Sequence, residues 1–224
     1  KNAKSKKAEQ FIIETFHLYH TSKFDTLNAM KYNRASLKLM EENNALLRSN
    51  VERYLATYQN YVLQYYYKGD IEDLEISAGK LKTFLETTKI HIPRLVRVTA
   101  QGKIYDILLS AYHTTCKFEK AIDVLTDAEK LVEENYTVID KSVKNVTYQM
   151  GTFIYFTTED YENALRLSNK LINDPDSGKF LEVYCFILLL QLLIHYELGN
   201  YDLIEYITKS TKRYLSKTEK LFKI

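Results

Sequence analysis

A chain of 224 residues with 46% apolar and 27% charged side chains has the make-up of an ordinary globular protein, long enough for one large core or an extended array. Two prolines and six glycines are too few for the tight turns of an all-β fold, while 19 tyrosines and no tryptophan suit long helices with few breaks. A net charge of +2 gives a weak overall field, so composition makes no general case for nucleic acid or acidic substrates.

Residues 1–7 carry four lysines and no acid and read as a basic tail. From about Ala8 to Thr21 the residues Phe11, Phe16, Leu18 and Tyr19 predict a helix, followed by a joint at Ser22–Leu27 and a second helix to about Glu42. One long helix is predicted from about Ala45 to Lys68 through Tyr54, Tyr58, Tyr61 and Tyr65, closed by Gly69 as a left-handed C′ residue with Asp70 as the next N-cap. Its partner runs to about Thr88, and Ile92-Pro93 then forces an extended residue.

Beyond Pro93, Tyr105, Leu108, Leu109 and Tyr112 recur at helical spacing, and Ala121, Leu125 and Ala128 do so after the step Cys116-Lys117-Phe118-Glu119-Lys120-Ala121. This is an αα-hairpin in which the small Ala121 and Ala128 permit close approach and Phe118 folds back over the joint. A helix from about Val138 to Thr157 meets the same joint at Thr158–Ala164, and Asn173–Gly178 is a loop between hairpins. The apolar helix from about Phe180 to Leu198 reads as buried on several sides, and Gly199–Ile204 repeats the joint before a final helix enters the basic end.

Aligned on Phe24, Ile71, Phe118, Tyr161 and Tyr201, the joints recur at intervals of 47, 47, 43 and 40 residues. The pattern resembles tetratricopeptide repeats (TPR), in which a Gly-x-Tyr-x-x-Ala step joins two helices. Tyr105-Leu108-Tyr112-Phe118-Ala121-Ala128 matches well and Tyr148-Tyr155-Tyr161-Ala164 in part, Gly199-Asn200-Tyr201 keeps the joint, and Leu27 and Leu74 replace the small residue in the first two hairpins. The resemblance implies an all-α fold, a right-handed α-solenoid of about five antiparallel hairpins (about 8–42, 45–88, 94–135, 138–173 and 178–215) in one domain spanning 8–224. Every interval exceeds the family's length of about 34 residues, so the superhelix is expected to be irregular.

In such arrays the first helix of each hairpin lines the concave groove, and the resemblance assigns to that lining Ile12, Phe16 and Tyr19; Gln59, Leu63 and Tyr66; Asp106, Ser110 and His113; Gln149, Phe153 and Phe156; and Leu189, Leu193 and Tyr196. Phe16, Tyr19, Leu63, Tyr66, His113, Phe153, Phe156 and Tyr196 are the expected partner-binding residues. The lining is either buried by tight closure or exposed to take an apolar segment. The Lys, Arg and Asn set with which family members clamp a terminal carboxylate is missing.

Other chemistry is weakly represented. Glu14, His17 and His20 are spaced like a half-site for a metal in a helical bundle, but no second such pair occurs, and surface histidines are the simpler reading. No phosphate loop, nucleophile elbow or zinc spacing is present, so neither cofactor nor catalysis is predicted. Cys116 and Cys185, far apart on apolar faces, are expected to be buried free thiols of a reducing, cytoplasmic compartment. The stretch Lys209–Ile224 has six basic residues against one acid and reads as a solvated capping helix, with an anion or nucleic-acid surface as the alternative. No apolar run is long enough to span a bilayer. The expected function is a non-catalytic scaffold for a protein or peptide partner, on one domain of a longer chain. The alternative is a ligand-sensing or enzymatic pocket among Tyr66, His113 and Phe156.

Overall fold

The computed structural model describes residues 5–174 and 181–218. Positions 1–4, the loop Pro175–Gly178, Phe180 and the last six residues of the basic end lie outside them. The described residues form eleven helices and no strand: α1 (Lys6–Ser22), α2 (Thr26–Glu41), α3 (Asn44–Ser49), α4 (Val51–Lys68), α5 (Ile71–Thr87), α6 (Arg94–Thr114), α7 (Phe118–Glu134), α8 (Lys141–Thr157), α9 (Tyr161–Ile172), α10 (Leu181–Glu197) and α11 (Tyr201–Thr218). All-α class is thereby established, with helices packed as neighbouring pairs.

Five of the connections share one backbone geometry. Phe24, Gly69, Cys116, Glu159 and Gly199 all take positive φ, between 55° and 74°. At each, the following amide donates to the carbonyl five residues earlier: Asp25 to His20, Asp70 to Tyr65, Lys117 to Tyr112, Asp160 to Tyr155 and Asn200 to His195, at 2.8–3.0 Å. The left-handed residue's own amide donates three residues back, to Thr21, Tyr66, His113, Phe156 and Tyr196. This pair of bonds is a Schellman closure, which satisfies carbonyls that the helix end would otherwise leave open. The next residue caps the following helix, and the Asp25, Asp70 and Asp160 carboxylates accept from Asn28, Asp73 and Asn163 amides at 3.2–3.3 Å.

This shared geometry corrects the first joint by two residues. Phe24 is the left-handed residue and is 92% exposed, so the counterpart of Ile71, Phe118, Tyr161 and Tyr201 is Thr26. The intervals become 45, 47, 43 and 40 residues. The small residue thought missing is then Ala29, which is buried, whereas Leu27 is exposed.

Three helix boundaries also differ from expectation. α1 starts at Lys6, inside the expected tail, because the Ser5 hydroxyl accepts from the Ala8 amide at 3.2 Å. The long helix expected over 45–68 is broken at Asn50 (φ −139°), whose side-chain amide donates to the Leu46 carbonyl at 3.0 Å and competes with the helical ladder. α8 starts at Lys141 rather than Val138, since Asp140 caps the Ser142 amide at 2.8 Å while the Val138 and Ile139 amides both turn back to the Asn135 carbonyl.

The chain forms two compact units, Lys1–Ala111 with Asn135–Ile139, and Tyr112–Glu134 with Asp140–Ile224. In the first, α1 packs on α2, α2 on α4 and α4 on α5, around Met40, Leu55, Val62, Leu74 and Leu81. In the second, α7, α8, α9, α10 and α11 pack each on the next, around Leu125, Ile154, Leu167, Ile187 and Ile194. Each such fully buried aliphatic side chain contributes about 1.5–3 kcal/mol. Ala121 and Ala128 are both buried.

Cys185 is buried, but Cys116 is exposed, because it occupies a left-handed joint rather than a helix face. α10 packs on α8, α9 and α11, and one stripe of it, Phe186, Leu189, Leu193 and Tyr196, faces outward. Among the described residues no helix is long and apolar enough to cross a membrane.

Candidate interaction face

The site is built from one recurring position, the outer side of the first helix of a hairpin. Schellman closure fixes where that helix ends, so residues five and eight before the first residue of the next helix fall on the same side each time. In the second unit these are His113 at the end of α6, Phe153 and Phe156 on α8, and Leu193 and Tyr196 on α10. His113, Phe153 and Phe156 are half-buried, while Leu193 and Tyr196 are exposed.

Ring contacts join these helices. His113 lies 5.9 Å from Phe153, and Phe153 meets Phe186 edge-on at 5.2 Å. Phe186, Leu189, Leu193 and Tyr196 then continue along α10 as one exposed stripe with steps of three and four residues. At the joint end, Phe156 meets Tyr161 and Tyr196 meets Tyr201, both edge-on at 5.7 Å. At these two joints Tyr161 and Tyr201 fold back on the preceding helix and close the end of the face.

Phe186 escaped the sequence reading, which stopped at Leu189. Its signal was present, since it stands one helical turn before Leu189 within the same apolar run.

In the first unit the expected residues divide. Leu63 and Tyr66 are half-buried on α4, and Tyr66 packs on Tyr67 with ring centroids 5.6 Å apart. Phe16 and Tyr19 are exposed, but the corrected joint moves them off the equivalent side of α1, where Leu18 and Thr21 stand instead. Phe16 stacks on Tyr32 at 5.2 Å and Tyr19 meets His20 at 5.2 Å, on a different side of the helix.

The polar groups weighed as a metal half-site have structural roles. His17 Nδ1 lies 3.1 Å from the Ala29 carbonyl, His20 Nδ1 lies 2.9 Å from Asp25, and Glu14 accepts from Gln10 at 2.9 Å and pairs with Arg53 at 3.4 Å. Among the described residues no three His, Cys, Asp or Glu side chains converge as metal ligands. Asp25 is held below the usual carboxylate range, first by the Asn28 side-chain hydrogen bond. Burial raises the Tyr54 and Tyr65 phenols, and that of Tyr58 to about 12, so these hydroxyls stay protonated near neutrality.

Two surface cavities lie elsewhere, one of about 330 Å³ lined by Arg34, Lys38, Tyr58, Tyr61 and Lys80 among others, and one of about 590 Å³ at Cys116–Lys120. On α11, Lys212 and Arg213 are exposed, whereas Thr211 is buried and Tyr214 packs on Tyr184 at 4.7 Å. Comparison with known proteins finds no family profile and no curated protein that matches this chain.

Proposed function

We propose that this chain is a TPR-like solenoid of five hairpins that works as a non-catalytic scaffold, binding an apolar peptide or partner segment on the first-helix face of its second unit. The observation that carries the reading is the ladder His113–Phe153–Phe186, continued by Leu189, Leu193 and Tyr196. Contiguous exposed apolar side chains of this extent mark interaction surfaces on proteins that are otherwise polar outside. Rings in particular supply large contact area with little conformational entropy to lose. The repeat reading is supported by five joints of one backbone geometry at intervals of 45, 47, 43 and 40 residues.

A phage-displayed peptide library panned on the purified chain tests this. Wild type should enrich apolar, aromatic-containing peptides, and Phe186→Ser with Leu193→Ser should abolish that capture with little change in melting temperature, because both side chains are exposed. Equal enrichment by the folded double variant would overturn the reading.

A further inference from the structure

In the first unit α4 packs against both α2 and α5, and the three helices together line a surface cavity of about 330 Å³. Small-molecule sites run from roughly 300 to 1,000 Å³, so this one has room for a compact ligand. Leu37 of α2 and Tyr58 of α4, 4% and 8% exposed, form its floor beside the half-buried Tyr61. Arg34 and Lys38 of α2 and Lys80 of α5 are exposed and stand at its rim.

The rim is cationic and largely uncompensated. Among the described residues Arg34 and Lys80 enter no ion pair, and Lys38 reaches Glu42 only at 3.7 Å. Glu41, the one acid among the described lining residues, already accepts from the Tyr54 hydroxyl at 3.0 Å.

The floor carries a hydroxyl that the protein leaves open. The Tyr58 ring is fixed edge-on against Tyr54 and Tyr61, with centroids 5.8 and 6.1 Å apart, yet its hydroxyl makes no hydrogen bond among the described residues. The Tyr61 hydroxyl differs, being engaged by Tyr65 at 2.6 Å. Burial first, and then the Glu41 charge, raise the Tyr58 phenol to about 12, so it is a protonated donor. Polar groups on buried side chains are rarely left without a partner, and here the cavity is where one can be met.

We infer that this cavity binds a small phosphate monoester, its phosphoryl group held by Arg34, Lys80 and the Tyr58 hydroxyl and its organic part laid on Leu37 and the Tyr58 and Tyr61 rings. Such an ester carries about −1.5 to −2 charges near neutrality, which suits three cations set against one carboxylate. Its oxygens can accept the paired N–H groups of a guanidinium and the single donor of a phenol at once. Inorganic phosphate would leave the apolar floor uncovered.

Isothermal titration of the whole chain with phenyl phosphate tests this. Binding should be saturable, with inorganic phosphate and phenyl sulfate each about tenfold weaker, the first lacking the ring and the second a charge. Arg34→Gln with Lys80→Gln should weaken phenyl phosphate binding about twentyfold and Tyr58→Phe about fivefold. Melting temperatures should stay close to wild type, because neither change removes a hydrogen bond or ion pair within the chain. Lys212→Gln with Arg213→Gln, the same loss of charge from exposed positions on α11, should leave the affinity unchanged. No saturable binding at millimolar phenyl phosphate, an equal loss in the α11 variant, or a Tyr58→Phe chain that binds as wild type would each overturn the inference. So would a phosphotyrosine peptide bound more tightly than phenyl phosphate, which would make a phosphorylated protein segment the occupant.

Discussion

Gly151 of α8 has no room for a side chain beside Leu167 of α9: a Cβ built there overlaps Leu167 Cδ1 and stands 2.9 Å from Leu125 Cδ1 of α7. This one glycine lets α8 approach two neighbours at once, although glycine is among the poorest helix formers. Gly151→Ala should destabilise by about 1–3 kcal/mol through overpacking, partly offset by about 1 kcal/mol of better helix propensity. Adding Leu167→Ala should cost less than additivity predicts for two independent losses, because it removes the atom the new Cβ meets. Chemical denaturation of the four chains of the cycle checks this, and a fully additive result would mean the leucine swings aside freely.

The left-handed joints make opposite predictions for different residues. Cys116 and Glu159 hold φ of 55° and 63°, a conformation in which a Cβ is strained by about 1–2 kcal/mol. Cys116→Gly and Glu159→Gly should each raise stability by about 0.5–1 kcal/mol, the strain relief less the greater entropy of glycine in the unfolded chain. Gly69→Ala should lower it by about 1 kcal/mol, although nothing stands within 4 Å of a Cβ there. Melting temperatures that move together in the same direction would contradict this account.

Lys144 of α8 and Asp174 after α9 form an ion pair whose side chains are 8% and 5% exposed. Burial makes such a pair costly to break, because the charge left behind has lost its water. Asp174→Ala should therefore destabilise by about 3–5 kcal/mol, and Lys144→Met with Asp174→Leu by much less, since no charge is then stranded. Urea unfolding distinguishes the two, and equal losses would mean the pair acts through packing alone.

His195 is buried at the end of α10, with Nδ1 3.2 Å from the Asn200 side-chain nitrogen, and burial holds its pKa below the ordinary histidine value of 6.5. The unfolded chain therefore takes up this proton first. Stability should be unaffected by this group above about pH 6.5 and should fall as pH drops from there toward the lower folded value. Melting temperature followed from pH 8 to pH 5 should show the decline, and His195→Gln should remove this component. Asp25 and Glu133, both lowered, add a second decline only below the ordinary carboxylate values of 3.8 and 4.5.

Much of this architecture is legible in the sequence, because paired apolar stripes flank Gly69, Gly199 and the Asp caps. The register of the first hairpin was not. Phe24 looks like Phe118, yet it is the left-handed residue, and a phenylalanine there gives no compositional sign of positive φ. Cys116 and Glu159 are silent for the same reason, so the exposure of Cys116 was missed. Asn50 breaks a helix through its own side-chain hydrogen bond, which short-range propensity does not separate from an ordinary polar position. On the candidate face, Phe153, Phe156 and Tyr196 were expected only through the family resemblance, which sets their distance from the joint, and the ring contact that recruits Phe186 depends on how two helices pack.

Joints in which one left-handed residue and one cap complete the whole connection also have a mechanical consequence. Both helix ends are tied by backbone bonds across three residues, so the arms of a hairpin that lies within one unit, α1–α2, α4–α5, α8–α9 or α10–α11, cannot pivot without breaking them. Each of these hairpins behaves as a stiff staple. Compliance is left to the connections between staples, among them Asn43–Asn50 and Asn135–Asp140, and those are the places where bending under load or on encountering a ligand should first be felt.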